Sequence, residues 1–150
     1  MTPPSRPSRP SPPLPSRRLA RAAGGLAAAG AAISTYLAIT RLAGELPACG
    51  PLQGCEQVAT SEYSAVLGIP LAVLGLGFSL AILALVVAWA RTGSQLAVLG
   101  AYGLGLMGIV VVAYLTYLEL FVIHAVCAWC VAYAATVILG WAVIAWGVRR

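Results

Sequence analysis

Four stretches of this chain hold no Lys, Arg, Asp or Glu: residues 22–40, 63–90, 92–118 and 120–148. A helix crosses a hydrocarbon layer of ~30 Å in about 20 residues, and each stretch is long enough to do so. A water-soluble core has no need of four such stretches in 150 residues. Only 9% of the residues are charged, against roughly 25% in a soluble domain. The reading is an all-α integral membrane protein, a four-transmembrane-helix bundle with little mass outside the bilayer. The expected helices run over about 19–42, 70–90, 96–120 and 127–148. Ala97, Ala101 and Gly105 form a row of small residues on the third, which is expected to be a packing seam.

Charge fixes the expected orientation. Residues 1–18 are mostly Pro, Ser and Arg, a composition that cannot build a core, so they read as a disordered basic tail ahead of a 19–150 membrane domain. No aromatic residue is interleaved with the arginines, which argues against nucleic-acid binding. The apolar run that follows is too long for a cleavable signal peptide. Arg41 is the one basic residue expected at the far end of the bundle. The other basic residues share the end of the two termini and the 91–95 turn. Glu45, Glu56, Glu62 and Glu119 all fall on the Arg41 side. Positive residues stay inside, so both termini are expected in the cytoplasm of a plasma (inner) membrane protein.

That orientation puts all four cysteines on the exoplasmic side, where disulfides persist. Cys127 and Cys130 stand in Cys-Ala-Trp-Cys at the start of the last helix, where unpaired N–H groups favour a thiolate. Cys49 and Cys55 stand in Cys-Gly-Pro-Leu-Gln-Gly-Cys, where Gly50, Pro51 and Gly54 supply the turn that a small disulfide ring requires. After Cys55, the positions of Val58, Tyr63, Val66 and Leu67 suggest a short amphipathic surface helix in this first outer loop, ended near Gly68 by Pro70. One pair in a loop and one at a helix start suit a thiol–disulfide relay, in which a mobile thiolate attacks a buried disulfide. Two structural disulfides are the plainer alternative. A zinc site is the weaker one, because the loop spacing is unusual for zinc and only His124 is nearby.

In this order and topology the chain resembles the bacterial homologues of vitamin K epoxide reductase. The matching residues are Cys49 and Cys55, then Val58, Ser61, Tyr63 and Leu67-Gly68-Ile69-Pro70, then Cys127-Ala128-Trp129-Cys130. The resemblance implies a quinone-linked thiol oxidoreductase. In it, Cys127 and Cys130 are the active-site pair, with Cys130 facing the quinone. Cys49 and Cys55 are the shuttle pair, with Cys55 bridging transiently to Cys127. Ser61 matches a serine that shapes the redox site. Some members carry a fused thioredoxin-like domain. This chain stops at Arg150 without one, so the expected electron donor is a separate thioredoxin-like exoplasmic protein.

The residues support the same chemistry on their own. Making a disulfide requires a two-electron acceptor, and the chain has neither a flavin nor a nucleotide fingerprint. A lipid-soluble quinone (menaquinone or ubiquinone), used as co-substrate with no metal, can reach a site inside so small a bundle. Phe78, Tyr114, Tyr117 and Trp129 are candidate lining residues, and His124 is a candidate proton carrier. The nearest rival enzyme, disulfide bond formation protein B, carries its C-x-x-C in the first outer loop, the reverse of the order here. A non-enzymatic membrane subunit braced by disulfides is the rival of a different class.

Overall fold

The computed structural model describes residues 17–50 and 54–149. The tail before Arg17 and the turn at Pro51 lie outside them. Helix α1 (Arg17–Leu42) leads into the outer loop and the short α2 (Gly54–Thr60). A 3-10 turn at Glu62–Ser64 and a hairpin of β1 (Ala65–Val66) and β2 (Ile69–Pro70) follow. The chain then forms α3 (Leu71–Thr92), α4 (Gln95–Tyr117), a π-helical continuation (Leu118–Ile123) and α5 (Ala128–Arg149). Four of these helices are long and apolar enough to cross a membrane. They match the expected spans, with α1 beginning at least at Arg17 rather than at Leu19. At about 1.5 Å per residue, the 22 residues of α3 extend for about 33 Å.

Each long helix packs against two neighbours. Helix α1 lies against α3 and α5, and α4 lies against the same two, so the four close in a ring. Gly93 ends α3 in the left-handed conformation, and the Ser94 hydroxyl accepts from the Ala97 N–H to start α4. Outward-facing Leu99, Leu106, Val110 and Leu139 are largely exposed, an apolar surface suited to lipid.

The core is concentrated toward the end that carries the chain termini. Ala23 and Ala27 of α1 meet Ile82, Val86 and Trp89 of α3, Ala97 and Ala101 of α4, and Ile144 of α5. Ala101 is fully buried, and Gly105 and Gly108 continue the same buried face of α4. Aromatic rings occupy the space that side chains at these glycines would fill: Trp141 on Gly105 and Phe78 on Gly108. Trp89 does the same on Gly147. Beyond Phe78 the bundle opens.

The outer loop departs from expectation. The surface helix is a single seven-residue piece that stops at Thr60. The Thr60 hydroxyl donates to the Glu56 carbonyl and the Ser61 hydroxyl to Val58, which uses up the last carbonyls, and Ser61 turns extended. Leu67 and Gly68 then take positive φ (53° and 81°), the two-residue turn that closes a tight hairpin. The third helix also runs further than its expected end at 120, through the π-helical segment to Ile123.

The seam at Gly105 has a direct test. A Cβ there would lie 2.9 Å from Trp141 Cδ1, whereas one at Gly103 meets open space. Gly105→Ala should therefore destabilise the bundle in detergent by about 1–3 kcal/mol, as overpacking does. Gly103→Ala, measured in the same thermal unfolding experiment, should leave stability unchanged or raise it by the helix preference of Ala.

Candidate active site

The site is built from three breaks in regular structure at the outer end of the bundle. The first is the step from the π-helical segment into α5. His124 takes a left-handed conformation (φ 55°), and the Glu119 carbonyl accepts from both the His124 and Ala125 N–H groups. This releases the chain to restart at Cys127. Its sulfur accepts the Cys130 N–H at 3.3 Å, in the way a serine oxygen caps a helix. Cys127 is buried, 3% exposed, and Cys130 sits one turn into α5, half-buried. Both are free thiols.

A hydrogen bond from the Cys130 side chain pulls the Cys127 thiol below the ordinary thiol pKa. Backbone N–H groups of the first turn act in the same direction. Burial and the nearby Glu119 charge oppose the shift without reversing it. Glu119 itself is 5% exposed and accepts the Cys127 N–H at 3.4 Å.

The second break is the loop before α2. Cys49 and Cys55 form a disulfide with their Cα atoms 6.0 Å apart. Cys55 is buried and Cys49 half-buried. The start of α2 rests directly on the strand of chain that leads into Cys127. A Cβ at Gly54 would fall on the backbone of Val126, so only glycine permits this approach. Trp129 holds the other side of the loop. Its indole N–H donates to the Ala48 carbonyl at 2.8 Å, and its ring packs on Tyr36 with centroids 4.9 Å apart. The Tyr36 hydroxyl in turn accepts the Ala48 N–H.

The third break is the 3-10 turn and the hairpin after it, and Arg41 at the end of α1 donates to Ser64 of that turn. With α2, it roofs a cavity of about 520 Å³. Cys55, Cys127 and Cys130 all open onto this space, as do Glu119 and Ser61. Phe78 and Tyr133 lie deeper in its wall. The Tyr133 hydroxyl donates to the Gly75 carbonyl at 2.9 Å and lies 3.3 Å from the Ser79 hydroxyl. An apolar space of this volume with a few convergent polar groups is the usual form of a small-molecule site.

Of the residues expected from sequence, Ser61 and Phe78 line the cavity with the cysteines. Tyr114, Tyr117, Trp129 and His124 do not. Tyr114 and Tyr117 are exposed on the opposite face of α4, and Tyr117 stacks on Phe121. Trp129 clamps the loop. His124 is turned outward, its ring nitrogen beside the Val122 carbonyl. Glu119 and Tyr133 are the additions. Tyr133 follows Cys130 by three residues, one helical turn, which is the only mark it leaves in the sequence.

The cap on Cys127 is open to measurement. In the reduced protein, alkylation of Cys127 should reach half its maximal rate below pH ~8.5, the value for a free thiol, because the thiolate persists as pH falls toward its lowered pKa. Cys130→Ala removes the main stabilising hydrogen bond and should move that midpoint upward. A midpoint that does not move would refute the assignment.

No curated protein matches the chain. The profile of the vitamin K epoxide reductase family matches residues 21–145, which run from the first turns of α1 almost to the end of α5 and include all four cysteines. The chain belongs to the vitamin K epoxide reductase family, a family of oxidoreductases.

Proposed function

We propose that this protein is a quinone-linked thiol–disulfide oxidoreductase that draws electrons from a thioredoxin-like partner and supports disulfide formation outside the membrane. The carrying observation is that Cys55, Cys127 and Cys130 share one cavity wall, with the loop pair bridged and the helix pair reduced. In the cycle, a partner thiolate attacks Cys49 and releases Cys55. Cys55 attacks Cys127 of a Cys127–Cys130 disulfide and displaces Cys130. A second thiol of the partner displaces Cys49 as the partner's own disulfide forms, and the freed Cys49 then attacks Cys55, which restores the loop disulfide and leaves both helix cysteines reduced. The two thiols next lose two electrons and two protons, their S–S bond forms, and the quinone becomes quinol.

The cavity suits such an acceptor. Its wall is largely apolar, and Leu74 and Met107 belong both to it and to the exposed surface of α3 and α4. A quinone can therefore arrive from lipid, with its ring near Cys130 and its tail between these helices. Ser61 and Phe78 are assigned to the ring's surroundings, and Tyr133 is added to them. The charge distribution supports an inner-membrane orientation with cytoplasmic termini and exoplasmic cysteines.

Disulfide mapping in membranes tests the cycle. Cys49→Ala leaves Cys55 free to attack Cys127, and Cys130→Ala leaves Cys127 free to attack Cys55, so each should accumulate a Cys55–Cys127 bridge. Cys130→Ala should also abolish quinone reduction. Bridges left unchanged by a mild thiol donor or by added quinone would sink the enzyme reading.

Gly54 gives a second test at a distance from the sulfurs. Gly54→Val forces α2 off the Val126 backbone. It should lower the yield of the Cys55–Cys127 bridge in the Cys49→Ala background, while direct reduction of Cys127–Cys130 by dithiothreitol continues. Equal yields with Gly and Val would show that the approach of α2 does not set the exchange.

A further inference from the structure

Quinone reduction by a dithiol must remove a proton from each sulfur. The Cys127 thiol is already disposed to lose its own. Cys130 has no such help from the helix terminus: it lies within α5, and its backbone N–H is spent on Cys127 Sγ. Its side chain faces two acceptors, the Cys127 sulfur and the carboxylate of Glu119, which shares the cavity wall with both cysteines and also accepts the Cys127 N–H. A carboxylate 5% exposed and inside an otherwise apolar span is costly unless it is used. It is held there by the π-helical segment, which turns Leu118 and Glu119 inward and Leu120 and Phe121 outward. Such segments occur frequently at functional sites. No Arg, Lys or His among the described residues pairs with Glu119, so its interactions lie with the two cysteines.

We propose that Glu119 is the catalytic base that takes the Cys130 thiol proton during quinone reduction, a role that rests on the quinone-linked reading above. The S–H bond of Cys130 breaks as its proton moves to the Glu119 carboxylate. Of the two electron pairs left on the sulfurs of Cys130 and the ionised Cys127, one pair becomes the Cys127–Cys130 bond and the other two electrons are transferred. The quinone takes both electrons, the proton held by Glu119 and a second proton from water. Glu119 returns to its charged form. The other titratable groups on the same cavity wall are Tyr133 from α5, Tyr63 from the outer loop, and Arg41 and Glu45 at the rim. Arg41 is engaged with Ser64, and Tyr133 donates to Gly75, so neither is placed to relieve Cys130.

The test compares the full chain with Glu119→Gln, using dithiothreitol as donor and a short-chain naphthoquinone as acceptor. Gln preserves the volume and an acceptor for the Cys127 N–H but cannot take a proton. The expected result is a rate lowered about 10²-fold at neutral pH, the usual contribution of a positioned base. The loss should shrink as pH rises and solvent takes over as base, while the wild-type rate follows only the ionisation of Cys127. A Gln variant that works at the wild-type rate overturns the proposal, as does a loss of equal size at every pH, which would mark Glu119 as a positioning residue only. If Gln unfolds the bundle, Glu119→Asp decides. A lowered rate with the wild-type pH profile supports the carboxylate as base, and a loss that shrinks with rising pH overturns it. A quinone-free readout is the infrared S–H stretch of Cys130 in the reduced protein, identified by its loss in Cys130→Ser. It should shift in Glu119→Ala, and an unmoved band overturns the proposal. Wild-type protein that exchanges thiols but reduces no quinone would end the quinone-linked reading itself. A competent wild type with an indifferent Gln variant ends only the role of Glu119.

Discussion

Aromatic rings seated on glycines hold one half of this bundle shut, and the other half is open because of them. In lipid there is no hydrophobic drive between helices, so close association depends on packing at small residues. The buried row of Ala97, Ala101, Gly105 and Gly108 lets α4 approach its neighbours, with Trp141 and Phe78 filling the notches. Above Phe78 the facing residues no longer interlock, and the space becomes the 520 Å³ cavity. A packed floor and a loop-built roof follow from one asymmetry along the same four helices.

The irregular backbone is confined to the roof. Unpaired N–H and C=O groups are tolerated at membrane depth only where protein or water satisfies them. Here each break is closed by a specific partner. The Glu119 carbonyl takes two N–H groups, and its carboxylate takes that of Cys127. The Cys127 sulfur takes that of Cys130, and Trp129 covers the Ala48 carbonyl. The groups that would react are thus the same groups that satisfy the backbone. Changing Glu119 or Cys127 perturbs structure as well as chemistry, which is why isosteric substitutions are the informative ones.

Hydropathy alone makes the four spans legible, and the two cysteine pairs can be read with their positions at the loop and at the start of α5. The face that each helix presents cannot. Helices that are apolar all round carry no periodicity to separate a cavity-lining residue from a lipid-facing one. Tyr114 and Tyr117 therefore look as plausible as Phe78 until the phase of α4 is known, and then they lie on the wrong face. Trp129 misleads for a related reason. Sitting between two redox cysteines, it reads as a ring near the substrate, yet successive positions on a helix point about 100° apart, and its position points to the loop. Glu119 is plain in the sequence as the charge that divides two apolar runs. It reads as a connection residue only because nothing in the sequence announces that the helix continues to Ile123. The surface helix fails from the opposite cause, since hydroxyls at Thr60 and Ser61 end it while the apolar spacing runs on.

Burial gives the proposed relay a direction. Cys49 is partly open, whereas Cys55 is 1% exposed and Cys127 3%. Of these three, Cys49 is the one open to a soluble thiol protein, which in the proposed relay makes the loop disulfide the entry point for electrons. The contact of Gly54 with Val126 keeps the inner half of that disulfide close to its target, while Trp129 and Tyr36 hold the outer half at the surface. In the proposed relay, exchange between two sulfurs as buried as Cys55 and Cys127 shields that step from solvent thiols.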